Sequence, residues 1–217
     1  MTATIIGATG LTGNHLMNGL LADPYFDTVR ILIRRPLDFV HPKLEKKIVD
    51  FNDSDSLLVA LSNSDIIFCA VGTTQKKVKG DKDAYRKIDL DIPVKLARFS
   101  KMVGCEKFIL VSSAGANSNG SNFYIKLKGE VEDILKTVGL KSLHIVRPSF
   151  LLGERKEFRI GEVIGKPLMQ IFSFAIPKKY RAIQAKDVAK AMVTLAKNND
   201  EGVFVYEYDR LKELSNP

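Results

Sequence analysis

Short apolar runs alternate along this chain with stretches in which apolar residues recur every three or four positions. The first kind reads as buried parallel strands, the second as helices packed against them. Apolar runs fall at residues 4–6, 28–33, 47–51, 65–71, 107–112, 142–146 and 202–206. Helical spacing begins near Leu11, through Leu16, Met17, Leu20 and Leu21, and returns over 54–61, 83–103, about 122–138 and 188–197. Asn52 or Asp53 is placed to cap the second helix and Asp187 the last. Pro93 falls inside the long third helix and must kink it or sit in a break. Strand and helix thus take turns, as in an α/β doubly wound parallel sheet. After Pro148 the rhythm changes. Residues 150–180 are rich in Phe, Leu and Ile, interrupted by Gly and Pro, and read as a small cap over the ligand side of a single domain.

The first strand runs directly into Gly7-Ala-Thr9-Gly10-Leu11-Thr12-Gly13. Strand, glycine turn and helix form the geometry that holds a pyrophosphate. Gly7 permits the sharp turn, Gly10 has no side chain to keep phosphates from the backbone, and Gly13 lets helix and strand pack closely. The helix's free N–H groups and positive dipole end then face the anion. The spacing is G-x-x-G-x-x-G rather than the commoner G-x-G-x-x-G, and no Gly-Lys-Ser/Thr follows, which argues against a nucleoside triphosphatase loop. A glycine turn that merely joins strand to helix is the bland alternative.

Arg34 and Arg35 close the second strand, about 20 residues beyond the glycines, where a fold preferring NAD carries an acid for the ribose hydroxyls. A guanidinium there suits the 2′-phosphate of NADP(H) instead; two solvated arginines are the alternative. Asp50 and Phe51 fall beside the expected adenine pocket. Val71-Gly72-Thr73, at the carboxyl end of the fourth strand, falls along the cofactor, because ligands of open α/β sheets bind beyond those ends. The basic run 75–82 reads as a solvated loop.

Composition adds bounds. The chain has 217 residues and a formal charge of +8. Basic residues are interspersed with acidic ones without an aromatic–basic patch, so an anionic small molecule accounts for the charge better than nucleic acid does. No apolar run is long enough to span a membrane. Cys69 and Cys105 read as buried thiols, and His15, His41 and His144 lack metal-ligand spacing, so no metal is expected. The first strand begins at once, leaving no room for a signal peptide, and the two cysteines, read as reduced, make the cytoplasm the expected location.

Tyr124 and Lys128 are four apart on a helix and share a face, with Cβ atoms about 5–6 Å apart. A lysine ammonium favours the phenolate of a neighbouring tyrosine, which otherwise titrates near pH ~10. The same lysine can hold the nicotinamide ribose, and a serine at the end of the preceding strand can hydrogen-bond a substrate oxygen. Hydride transfer then needs one proton moved, which Tyr124 would do. Tyr-x-x-x-Lys alone is a weak pattern; the order of glycine turn, arginines, serine and helix strengthens it.

Gly7-Ala-Thr-Gly10-Leu-Thr-Gly13, Val111-Ser-Ser-Ala114 and Tyr124-Ile-Lys-Leu-Lys128 resemble an atypical short-chain dehydrogenase/reductase of the NAD(P)-binding Rossmann superfamily. Phe68-Cys-Ala-Val-Gly-Thr-Thr74, Ser121-Asn-Phe-Tyr124 and Lys128-Gly-Glu-Val-Glu132 are similar to its Tat-interacting oxidoreductase-like members. The resemblance implies NADP(H) as cofactor, a catalytic Ser113, Tyr124 and Lys128 with Ser112 deeper at the strand end, Arg34 on the 2′-phosphate with Arg35 as near substitute, and Pro148 beside the nicotinamide. The stretch from Ser113 to Tyr124 is short for the family. The expected activity is an NADPH-dependent oxidoreductase on a small carbonyl or alcohol, with Phe150, Leu151, Phe172 and Phe174 as candidate pocket lining or, equally, core packing. The same family contains regulatory binders, so the alternative is a cofactor-gated contact with a protein partner. Nucleotide-sugar epimerisation ranks lower, because the segment after Pro148 is short.

Overall fold

A computed structural model describes residues 1–153, 177 and 180–216. A seven-stranded sheet runs through it in the order β3-β2-β1-β4-β5-β6-β9. Its strands are β1 (Thr2–Ile6), β2 (Thr28–Ile33), β3 (Leu44–Ile48), β4 (Ile66–Cys69), β5 (Lys107–Val111), β6 (Ser142–Val146) and β9 (Gly202–Tyr206). Every adjacent pair is parallel. Two short strands, β7 (Leu151–Leu152) and β8 (Ile183–Gln184), pair separately. The helices are α1 (Leu11–Ala22), α2 (Ser54–Leu61), α3 (Lys82–Arg86), α4 (Ile92–Met102), α5 (Phe123–Thr137), α6 (Ala185–Lys197) and α7 (Tyr208–Leu214).

The sheet is apolar on both faces because helices cover both. Ala3, Ile5, Ile31, Phe68 and Ile109 point into a core shared with α1, α6 and α7. Their neighbours Ile6, Leu32, Ile67, Cys69 and Phe108 point into the other, under α2, α4 and α5. This is the period-two alternation of a strand buried on both sides. The strand order reverses beside β1, so α1 leaves on one face and the helices after β4 on the other, opening a crevice at the carboxyl ends.

Three elements differ most from their sequence expectation. β3 begins at Leu44, not Lys47, because parallel pairing with β2 starts at Val29↔Leu44 and ends at Ile33↔Ile48. It is an edge strand, so its apolar signal is weak. The helix expected over 83–103 is broken by a π turn, Lys87–Asp91. Pro93 has no N–H to give the carbonyl four residues back and its ring crowds that carbonyl, so the wider turn relieves both. Helix α6 starts at Ala185; Asp187 lies in its first turn and pairs with Lys212 at 2.7 Å rather than capping. Asp53 and Asn122 do cap α2 and α5, each accepting two backbone N–H bonds. Of the basic run 75–82, residues 75–80 fold into consecutive turns, tied by Gly80 N–H to Gln75 C=O at 2.9 Å, and Lys82 opens α3.

Candidate functional site

The ends of β1, β4, β5 and β6 are level, since Ile6 is paired with Cys69, Cys69 with Leu110, and Val111 with Val146. The segments that follow them therefore line one rim. Gly7 has φ +92, and a Cβ there would lie 2.5 Å from the Ala70 carbonyl oxygen. A Cβ on Gly13 would lie 2.0 Å from the Gly7 carbonyl oxygen. Only glycine fits either position, and their contacts pack turn, helix and the 70–73 loop together. Gly10 is the N-cap of α1, exposed, with no side chain capping the helix. The Thr12 hydroxyl is buried without a hydrogen-bond partner among the described residues. Open helix N–H groups over a glycine floor, with an orphaned hydroxyl beside them, fit a pyrophosphate. Thr9 is exposed at the turn, and the Leu11 side chain lies beside Gly153, where a Cβ would sit 2.9 Å from it.

Arg34 and Arg35 are exposed just beyond β2, and among the described residues neither has a hydrogen-bond or ion-pair partner. They are thus available to an anion at the expected ribose position. Asp50 is exposed and accepts from the Asn52 backbone and side chain at 2.9 and 3.0 Å. Phe51 packs on the second core, and its carbonyl accepts from Lys95 at 3.1 Å. Val71 also packs there, Gly72 is exposed and Thr73 is buried.

The serines divide. Ser112 is buried, and its hydroxyl donates to Glu132 at 2.5 Å. Glu132 is fully buried and also receives the Arg147 guanidinium at 2.5 Å, a hydrogen bond that holds the guanidinium above its usual pKa despite burial. Ser113 is half-buried, with a 3.5 Å contact to the Ala114 carbonyl as its one hydroxyl bond among the described residues. Pro148 is buried next to it, its carbonyl accepting from Ala114 N–H at 2.9 Å. The short stretch between Ser113 and Tyr124 is pressed onto α5 at Gly129, where a Cβ would meet the Ser118 nitrogen at 2.1 Å. Ser118 adds a 2.6 Å hydrogen bond to Asp133.

Tyr124 is half-buried, and the Lys128 ammonium lies 5.8 Å from its ring centroid. Lys128 itself is 4% exposed. Burial opposes its charge, but the Asp89 carboxylate, 2.9 Å away and the main opposing influence, holds the ammonium above the usual lysine range. Asp89 lies in the π turn and also accepts the Thr73 N–H at 2.7 Å. Asp89 and the Glu132–Arg147 pair were not among the sequence candidates. The signal available for Asp89 is an acid four residues after Tyr85 and four before Pro93, on the face that must be buried. Phe150 is 53% exposed and Leu151 packs on the first core. Phe172, Phe174 and most of the expected cap lie outside the described residues. Among the described residues no group of His, Cys, Asp and Glu is arranged to hold a metal, and no helix is long and apolar enough to cross a membrane.

A family whose description is NAD(P)H-binding matches residues 7–199. The FMP52 protein of Candida glabrata, named mitochondrial, is 38% identical over 74% of this chain and 68% of its own length. Its namesake in Candida albicans, also named mitochondrial, is 32% identical over 100% of this chain and 99% of its own. The HTATIP2 protein of Rattus norvegicus is 34% identical over 75% and 67%. Among solved structures, MoeE5 with UDP-glucuronic acid and NAD superposes with a TM-score of 0.74 at 17% identity, covering 96% of this chain and 76% of that one. A UDP-N-acetylglucosamine 4-epimerase from Methanobrevibacter ruminantium M1 gives 0.73 at 22% identity, over 98% and 80%. These likenesses show the doubly wound Rossmann fold alone. The mitochondrial names of the relatives overturn the cytoplasmic expectation. That expectation rested on Cys69 and Cys105 reading as buried reduced thiols, which does not separate the cytoplasm from the mitochondrial matrix.

Proposed function

The chain belongs to the NAD(P)H-binding family, and from that premise we propose that it is an NADP(H)-dependent oxidoreductase acting on a small carbonyl or alcohol. The observation that carries this reading is a buried lysine ammonium held charged beside Tyr124, on the same rim as the glycine cradle. Gly7, Thr9, Gly10, Leu11, Thr12 and Gly13 would hold the pyrophosphate, Arg34 and Arg35 the 2′-phosphate, and Asp50 and Phe51 the adenine side. Val71, Gly72, Thr73, Ser112 and Pro148 would flank the rest. When bound, the nicotinamide gives or takes a hydride.

Ser113 donates its hydroxyl to the substrate oxygen. Ser112 is already committed to Glu132. Tyr124 gives a proton to that oxygen in reduction and takes it back in oxidation. Lys128 spends one N–H on Asp89, which leaves donors for ribose hydroxyls and a positive charge next to the phenol. A positioned acid of this kind contributes about 10²–10⁴-fold. A panel of carbonyl compounds, followed by loss of NADPH absorbance, tests the reading. With a substrate in hand, Tyr124→Phe is expected to lower turnover by about 10²–10⁴-fold while NADPH affinity changes by less than about threefold. Turnover at the native rate in that variant would remove the proton-transfer role. The names of the relatives support a mitochondrial site of action. A fluorescent fusion of the full chain should coincide with a mitochondrial marker, and a diffuse signal would count against it.

A further inference from the structure

We infer that Asp89 is a positioning residue: it keeps the Lys128 ammonium protonated and aimed at the site, so that Tyr124 is the member of the pair that releases a proton. This rests on the proposed Tyr124–Lys128 reading and deepens it.

The geometry is closed on both sides of the carboxylate. Oδ1 of Asp89 faces Lys128 Nζ at 2.9 Å, and Oδ2 accepts the Thr73 N–H at 2.7 Å. The Tyr85 hydroxyl donates to the Thr73 carbonyl at 3.1 Å, fixing the other side of the same peptide segment. Asp89 is 1% exposed and the Lys128 side chain 6%, so water does not substitute for either partner. Asp89 therefore joins the lysine of the expected ribose site to the loop expected along the cofactor. It is carried there by the π turn, an insertion that side-steps Pro93 and re-aims the side chains before it.

Chemistry makes the carboxylate necessary. An ammonium buried without a counter-charge loses affinity for its proton by up to ~3–5 pH units. That would put it below the ordinary tyrosine value near ~10. The lysine would then deprotonate first, and the phenolate would form with no cation beside it. Three titratable groups face Lys128: Asp89 from the π turn, Tyr124 from its own helix and the Cys69 thiol from β4. Burial pushes Cys69 up to about 11, so it is neutral at physiological pH. Asp89 alone of the three supplies negative charge.

The test titrates Tyr124 in the full chain by tyrosinate absorbance, taken as a difference from Tyr124→Phe. It follows the ¹⁵N resonance of the Lys128 ammonium in parallel. Lys128→Met should raise the Tyr124 titration by about one pH unit or more. Asp89→Asn keeps an acceptor for Thr73 but not the charge. It should raise the titration in the same direction and lower the pH at which Lys128 loses its proton. Asp89→Glu should restore much of both. An Asp89→Asn titration that is unmoved or lowered, while Lys128→Met raises it, overturns the inference and leaves the Tyr–Lys reading intact. If Lys128→Met itself leaves Tyr124 unmoved, the Tyr–Lys reading fails and the inference with it. Should Asp89→Asn not fold, the unsubstituted protein decides. Lys128 keeping its proton to higher pH than the exposed lysines supports the inference, and losing it earlier overturns it.

Discussion

His144 shows how one residue can mimic a site and be structural. It is fully buried on β6, with Nε2 at 2.8 Å from Ser142 Oγ and Nδ1 at 2.9 Å from Tyr206 Oη. Ser142 Oγ gives its own proton to the Asp200 carbonyl at 2.7 Å, so it accepts from Nε2–H, and Nδ1 accepts from the tyrosine. The neutral ring satisfies every partner. Burial, helped by the nearby Lys107 charge, pushes its pKa down to about 4. The unfolded chain takes up this proton near pH ~6.5 and the folded one does not until about pH 4. The contribution is thus complete above the unfolded value and is lost as pH falls through that window. Unfolding free energies from urea titrations should drop with acid by on the order of 1 kcal/mol per pH unit there, and His144→Gln should flatten that part of the curve. Arg34 belongs to the same scale. If it meets a 2′-phosphate, Arg34→Ala should shrink the preference for NADPH over NADH by roughly tenfold in a binding titration, with NADH affinity little changed.

Among the elements, the first β-α unit is the most tightly specified. A methyl on Gly13 would press on the Gly7 carbonyl, backbone against backbone, with no flexible side chain to yield. Gly13→Ala should therefore cost about 1–3 kcal/mol in thermal or urea unfolding and weaken NADP(H) binding in parallel. This unit was legible in the sequence because a strand, three glycines and a helical repeat are all local signals. β2, β6 and β9 were legible to the residue for the same reason. β3 was not, because an edge strand reading Leu-Glu-Lys-Lys-Ile takes its register from β2 rather than from its own pattern. Pro93 announced a break but not its form. Whether a helix kinks or widens into a π turn depends on what its buried face must reach, here Lys128 on another helix. The hydrogen bond of Ser112 to Glu132, twenty residues on, was not legible, because periodicity carries no record of that contact.

At the scale of the whole molecule, charge and topology act together. The chain carries an excess of eight positive charges, and an anionic cofactor approaching the rim feels their sum. NADPH affinity should fall several-fold, by about that order, between low salt and ~0.5 M, with Debye screening as the cause. The two margins of the sheet differ. Among the described residues, β3 ends it on one side with Glu45, Lys46 and Lys47, while β9 ends it on the other with Val203 and Val205 at 47% and 42% exposure. Lysines on a terminal strand discourage another chain from zipping alongside, and bare valines do not. Concentrated or partly unfolded samples should therefore clump from one flank. Val205→Lys is expected to delay turbidity on heating without altering NADPH affinity, so that the place where this protein sticks to itself lies at the opposite end of the sheet from β3's charged guard.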